Sequence, residues 1–163
     1  MKKNIKKIET ILLDFDGVLT NNRVIINELG KEHVICNRSD GLAIEVLKKK
    51  KFNILVISTE KNNVVQMRCK KLGIKCINAV DNKKSYLDEL HRKNILDLSK
   101  SMYVGNDIND YHAMRNCYFS CCPKDSHKKI KKIANITLTC NGGDGVIMEI
   151  VERVFKINML DYL

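Results

Sequence analysis

The chain has 163 residues, 44 % hydrophobic and 29 % charged, with a formal net charge of +10. That is long enough to bury a core without metal or disulfide staples, and it is ordinary for a soluble globular chain. No apolar run is long enough for a membrane span, and the basic start Met1-Lys2-Lys3-Asn4-Ile5-Lys6-Lys7 precedes an apolar stretch too short for a signal-peptide core, so a cytoplasmic protein is expected.

The lysines at 48–51, 70–71 and 128–132 fall in or at the ends of expected helices. Aromatics make up 6 % of the chain and do not interleave with these runs, unlike in a single-strand binder, so no nucleic-acid partner is expected. A basic surface would still steer an anionic substrate inward. The seven cysteines are odd in number and form no Cys-x-x-Cys, which favours reduced thiols acting as small core residues.

In chain order, the apolar run Ile8-Glu9-Thr10-Ile11-Leu12-Leu13 predicts a buried strand. It ends in Asp14-Phe15-Asp16-Gly17-Val18-Leu19-Thr20, where two carboxylates sit two residues apart and Gly17 permits a sharp turn. Taken alone, Asp-x-Asp-Gly is also a common surface turn. Residues 23–26 and 33–36 flank a Gly-containing loop and predict a β-hairpin. Ser39 is placed to cap a helix with apolar positions Leu42, Ile44, Val46 and Leu47. Strands are then expected at 53–58, 75–78, 101–105, 118–121 and 135–138. They alternate with helices at about 62–72, 82–93, 107–115, 126–133 and 146–155. This alternation predicts an α/β, Rossmann-like, doubly wound parallel sheet with helices on both faces. Ligands of such sheets bind beyond the carboxyl ends of the strands.

The chemistry-bearing residues gather at those ends. Strand one delivers Asp14 and Asp16, a nucleophilic carboxylate beside one that can carry a proton. The strand at 53–58 ends in Ser58-Thr59, whose hydroxyls and following N–H groups suit phosphate oxygens. Lys83 lies in the first turn of a helix, where a cation opposes the dipole, so a nearby phosphate or carboxylate would give it a reason; Lys84 competes for that role. Gly105-Asn106-Asp107-Ile108-Asn109-Asp110 follows the strand at 101–105 and, with strand one, offers oxygens for magnesium. Asp and Asn are also welcome at any helix start.

Together these four segments resemble the motifs of the haloacid dehalogenase superfamily of phosphatases. From about Ile8 to Phe155 the chain is similar to its small capless branch, which dephosphorylates 3-deoxy-D-manno-octulosonate 8-phosphate or nonulosonate 9-phosphates. The likeness includes the hairpin, Asn37-Arg38-Ser39-Asp40-Gly41, Ser58-Thr59-Glu60-Lys61-Asn62, Arg68 to Ile74, and Gly142-Gly143-Asp144-Gly145. The resemblance implies Asp14 as nucleophile, Asp16 as general acid and base, Ser58 as a phosphoryl hydrogen-bond donor and Lys83 as charge neutraliser. It implies magnesium on Asp14, the Asp16 carbonyl and the Asn106-Asp107 loop, with Asp110 as a further candidate. Thr59, Glu60 and Arg68 are implied to face the sugar acid, although a helical Arg68 also suits a surface ion pair.

The chain departs from this pattern at three points. Asn106 replaces a metal-binding Asp, Ser58 replaces the commoner threonine, and residues 146–149 lack the arginine that usually follows the tail glycines. No stretch is long enough for a cap domain, so one domain over 1–163 is expected, with a hairpin flap at about 20–36 and a tail at about 156–163. In the resembling branch such hairpins assemble a homotetramer, and the apolar hairpin arms need cover in any case. Two alternatives stay open: a non-catalytic assembly module like those fused to acylneuraminate cytidylyltransferases, and a phosphatase for another small phosphate ester.

Overall fold

The structure, a computed structural model, describes residues 3–162. Met1 and Lys2 of the basic start, and Leu163 of the expected tail, lie outside the described residues. The strands are β1 (Thr10–Leu13), β2 (Ile25–Ile26), β3 (Glu32–His33), β4 (Asn53–Ile57), β5 (Lys75–Ile77), β6 (Ser101–Val104), β7 (Phe119–Cys122) and β8 (Ile136–Thr137). The helices are α1 (Ser39–Lys49), α2 (Val64–Leu72), α3 (Lys83–Arg92), α4 (Tyr111–Asn116), α5 (Lys128–Ile133) and α6 (Val146–Glu149), the last running on into a π turn over Ile150–Val154.

Six strands form one parallel sheet in the order β5-β4-β1-β6-β7-β8, while β2 and β3 pair antiparallel by themselves. The run Ile11-Leu12-Leu13 is fully buried, as a strand covered on both faces must be. Its side chains divide between two cores by alternation. Ile11 and Leu13 join Ile44 and Leu47 of α1, Val65 of α2 and Ile147 of α6 on one face. Leu12 joins Tyr103, Leu87 of α3, Ala113 of α4 and Ile130 of α5 on the other. The doubly wound sheet read from the sequence is therefore the observed fold.

From β1 the chain steps outward through β4 to β5, then returns to place β6 on the other side of β1. The connections leaving β1 and β6 diverge, so a crevice opens at the carboxyl ends of this central pair. Between Asp16 and β4 the chain forms only the β2–β3 hairpin and α1, which leaves no cap domain.

Several local expectations are corrected. Hairpin pairing is confined to Ile25–Ile26 and Glu32–His33, with one further bridge from Thr20 to Cys36, so Val34 and Ile35 stay outside the ladder. Ser39 is the first residue of α1 and Arg38 occupies the cap position; Asn37 Oδ1 accepts from both the N–H and the hydroxyl of Ser39. The helix expected at 107–115 divides into a tight turn, Ile108–Asp110, and α4. All seven thiols are free; Cys69, Cys117, Cys121 and Cys122 are buried, and Cys76 only partly so. Among the described residues, no helix is long and apolar enough to cross a membrane.

Candidate active site

β1 pairs in register with β6 up to Leu13 and Val104, and one further bond, Asp14 N to Val104 O at 2.9 Å, fixes the first carboxylate at the strand tip. The chain then turns, with the N–H groups of Val18, Leu19 and Thr20 all directed at Phe15 O. Gly17 has φ +77°, and a Cβ there would lie 1.8 Å from Asn106 Nδ2. Glycine is thus required both for the conformation and for the approach of the β1 and β6 loops. Thr20 Oγ1 donates to Asp16 Oδ1 at 3.3 Å and accepts from Gly17 N at 3.2 Å, which orients the second carboxylate.

After β4, Ser58 N donates to Ile77 O, and Ser58 Oγ accepts from Glu60 N at 3.0 Å. The serine is buried, while Thr59 and Glu60 reach the crevice. Asn82 caps α3 by accepting from Ser85 N, which sets Lys83 at the first helical position. Its ammonium lies 2.7 Å from Asp14 Oδ1 and 2.7 Å from Asp110 Oδ1, with no side-chain exposure. Lys84 points outward to Asp88, so of the two lysines it is Lys83 that meets the strand-end carboxylate.

Asp110 is engaged through both of its oxygens. Its Oδ1 accepts from Lys83 and from Tyr103 Oη at 2.9 Å, and its Oδ2 accepts from the N–H groups of Asn106 at 2.9 Å and Asp107 at 3.3 Å. Both oxygens are occupied by donors, so in this arrangement Asp110 holds the lysine and shapes the loop. Asp14, Asp16, Asn106 and Asp107 line a pocket of about 380 Å³ together with Asn22, Thr59 and Glu60.

Burial, followed by the charge of Asp110, raises the Asp14 carboxyl well above its ordinary range, while Lys83 pulls it back down. Burial alone would depress Lys83, but Asp14 and Asp110 overcome that and keep it raised. Asp16 is raised by burial and then by Glu60, against the hydrogen bond from Thr20. Two buried carboxylates thus share a single buried ammonium, and Asp16 adds a third acid beside them. Asn106 Oδ1 is buried and makes no hydrogen bond. An acid excess and an unpartnered amide oxygen together fit a hard divalent cation. Among the described residues no three His, Cys, Asp or Glu side chains are set to enclose a metal.

A larger cavity of about 1310 Å³ adjoins this pocket through Thr59 and Glu60 and is lined also by Glu32, His33, Asn62 and Arg68. Arg68 Nη2 donates to Asn37 O at 2.8 Å, and its Nε is buried without a partner. The guanidinium therefore faces inward and, among the described residues, makes no ion pair. Two participants were not given roles from the sequence. Thr20 ended the first motif, and its spacing of four from Asp16 was the available clue. Tyr103 read only as an apolar strand residue, because nothing local reveals that its hydroxyl meets Asp110.

A family profile described as haloacid dehalogenase-like hydrolase matches residues 48–150, a span that includes Ser58, Lys83 and the Asn106-to-Asp110 loop. Over 148 residues the chain is 26 % identical to the 3-deoxy-D-manno-octulosonate 8-phosphate phosphatase KdsC of Escherichia coli K12, covering 90 % of this chain and 79 % of that protein. A crystal structure from Streptomyces avermitilis, assigned to the HAD family of hydrolases, superposes with a TM-score of 0.88 at 34 % identity, over 93 % of this chain and 87 % of that one. The 3-deoxy-D-manno-octulosonate 8-phosphate phosphatase of Moraxella catarrhalis, crystallised with magnesium, phosphate and KDO, superposes with a TM-score of 0.87 at 29 % identity, over 93 % and 88 %.

Proposed function

The chain belongs to the haloacid dehalogenase-like hydrolase family, and from that premise we propose that it is a magnesium-dependent phosphatase of a 3-deoxy-2-keto sugar acid phosphate. The observation that carries this reading is the buried Lys83 ammonium held between Asp14 and Asp110, with Asp16 hydrogen-bonded beside them. A scaffold that only assembles has no use for such a group. The catalytic reading is therefore preferred to the assembly module.

In this reading an Asp14 oxygen attacks phosphorus, the phosphorus–sugar oxygen bond breaks, and an aspartyl-phosphate forms. Asp16 gives its proton to the departing sugar oxygen, then takes one from the water that releases phosphate and restores Asp14. The raised Asp16 carboxyl keeps that proton available. Ser58 and the N–H groups after it donate to the phosphoryl oxygens, and Lys83 offsets their negative charge; such stabilisation supplies most of the barrier reduction. Magnesium would be held by Asp14, Asn106, Asp107 and the Asp16 carbonyl, and when bound it supplies positive charge opposite the phosphoryl oxygens. The role of Asn106 in place of a carboxylate leaves this set with less negative charge.

The sugar acid would occupy the larger cavity, where Arg68 suits a carboxylate by bidentate pairing and Glu60 and Thr59 suit hydroxyls. Octulosonate 8-phosphate, in keeping with the similarity to the Escherichia coli and Moraxella enzymes, and a nonulosonate 9-phosphate are the proposed substrates. The reading treats residues 1–163 as one domain acting in the cytoplasm as a homotetramer. Phosphate release from both sugar acids and from ordinary sugar phosphates, with and without magnesium, tests it. A magnesium-dependent preference for one of the two is expected. Absence of turnover by folded protein in magnesium would reject catalysis and restore the assembly module.

A further inference from the structure

Two sequence runs have no part in the chemistry above: Asn37-Arg38-Ser39-Asp40-Gly41 and Gly142-Gly143-Asp144-Gly145. The fold joins them. Asp40, 1 % exposed in the first turn of α1, extends its Oδ1 to the start of α6, where it accepts from Ile147 N at 2.8 Å and Met148 N at 3.3 Å. A carboxylate there satisfies N–H groups that lack helical partners and meets the positive end of the helix. Gly145, at φ +90°, leads directly into α6, so Asp40 fixes the point where the glycine run ends.

That run lies against the turn carrying Asp16. Gly143 N donates to Val18 O at 3.0 Å. A Cβ on Gly142 would fall 2.2 Å from Gly17 O, and one on Gly143 would fall 2.5 Å from Asn21 N. The near end of the run is tied by Gly142 N to Asp125 Oδ1 at 2.9 Å. Backbone meets backbone here with no side chain between, so displacement of the glycine run displaces the turn. Within that turn, Thr20 holds Asp16.

We propose that Asp40 is a positioning residue which, through α6 and the glycine run, holds the Asp14-to-Thr20 turn in the geometry that aims Asp16. The link to activity rests on the phosphatase reading; the mechanical link does not. What matters is one acceptor oxygen at the α6 start. Asp40 Oδ2 is buried and has no hydrogen-bond partner, so an asparagine retains the part that is used.

The test uses the full chain with Asp40→Ala and Asp40→Asn, read by residue-resolved amide hydrogen exchange and by kcat and KM for p-nitrophenyl phosphate in magnesium. Asp40→Ala is expected to speed exchange at Gly143, Ile147 and Met148 and also at Val18, Leu19 and Thr20, whose amides bond Phe15 O. It lowers kcat about tenfold with KM changed less than about twofold, as a small misplacement of a reacting group does. Asp40→Asn restores both readouts. Faster exchange confined to Ile147 and Met148, or an unchanged kcat in an enzyme that turns the ester over, reduces Asp40 to a helix cap and overturns the proposal. If no ester is turned over even by the unaltered chain, the phosphatase reading fails and the exchange pattern alone decides the mechanical link. Should Asp40→Ala not fold, native-state exchange of the unaltered chain in low denaturant decides instead. The two amide groups must then open together with one denaturant dependence, and independent opening overturns the link.

Discussion

At Lys83 two buried carboxylates depend on one ammonium, and this fixes what substitutions there do. Lys83→Met leaves Asp14 and Asp110 buried without a counter-charge, and breaking such a pair costs about 3–5 kcal/mol. Turnover should vanish and the urea midpoint should fall; a variant that melts like the unaltered chain would contradict the geometry. Lys84→Met removes only an exposed pair with Asp88 and should change neither. Asp14→Asn behaves differently again. It relieves a carboxyl that burial and Asp110 both disfavour as an anion, so the midpoint should hold or rise while turnover drops by about a thousandfold or more. Kinetics and urea titration on the same preparation check both halves. At this scale the positions of Asp14 and Ser58 at strand ends and of Lys83 at a helix start were legible, because each follows or precedes a recognisable element. The role of Asp110 was not, since an acid at a helix start can serve a metal, a cap or a lysine, and only the tertiary placement of Tyr103 and Lys83 selects among them.

α1 and α6 meet through Asp40, whose carboxyl burial pushes up to about 6 from 3.8, against the bonds from Ile147 and Met148 and the charge of Arg68. The Asp40 charge adds to burial in raising the thiols of Cys36 and Cys140. The folded state therefore binds this proton more tightly than the unfolded chain does. Its stabilising effect is complete below about pH 4 and is lost as pH rises through about 6, a change of about 3 kcal/mol. Asp40→Asn cannot titrate, so across that window the unaltered chain should lose about this much stability relative to the variant. Parallel urea midpoints from pH 4 to pH 7 would show that the carboxyl is not held this way. Element boundaries were the least legible layer. Ser39 carries the residue type of a cap, yet Asn37 supplies the acceptor, because the chain entering α1 is shaped by its packing beside α2 and α6. The short pairing in β2 and β3 has a related cause: with no covering layer in the chain itself, apolar alternation alone does not fix a register.

Across the whole molecule the sheet was readable, since strand and helix periods alternate and the strand ends bear the chemistry. Assembly was not, because an interface leaves no period in the sequence. Val24, Ile25, Ile26, Leu29 and Ile35 are each at least half exposed, five large apolar side chains on one flap. If copies cover it, sedimentation should give four times the 18.7 kDa chain mass, and Ile25→Ser with Ile26→Ser should lower that mass without disturbing the sheet. A monomer at micromolar concentration would remove the tetramer. The central place of β1 has a kinetic consequence. Thr10 pairs with Asn53 on one side and with Ser101 on the other, so the strand synthesised first waits for partners that emerge much later. Local units such as β4-α2-β5 can condense early, whereas closure of β1 on β6 spans most of the chain and is intrinsically slow. On dilution from denaturant, helical circular dichroism should return first, and phosphate-ester turnover should follow with the later phase, because Asp14 and the Asn106 loop become neighbours only when that closure occurs.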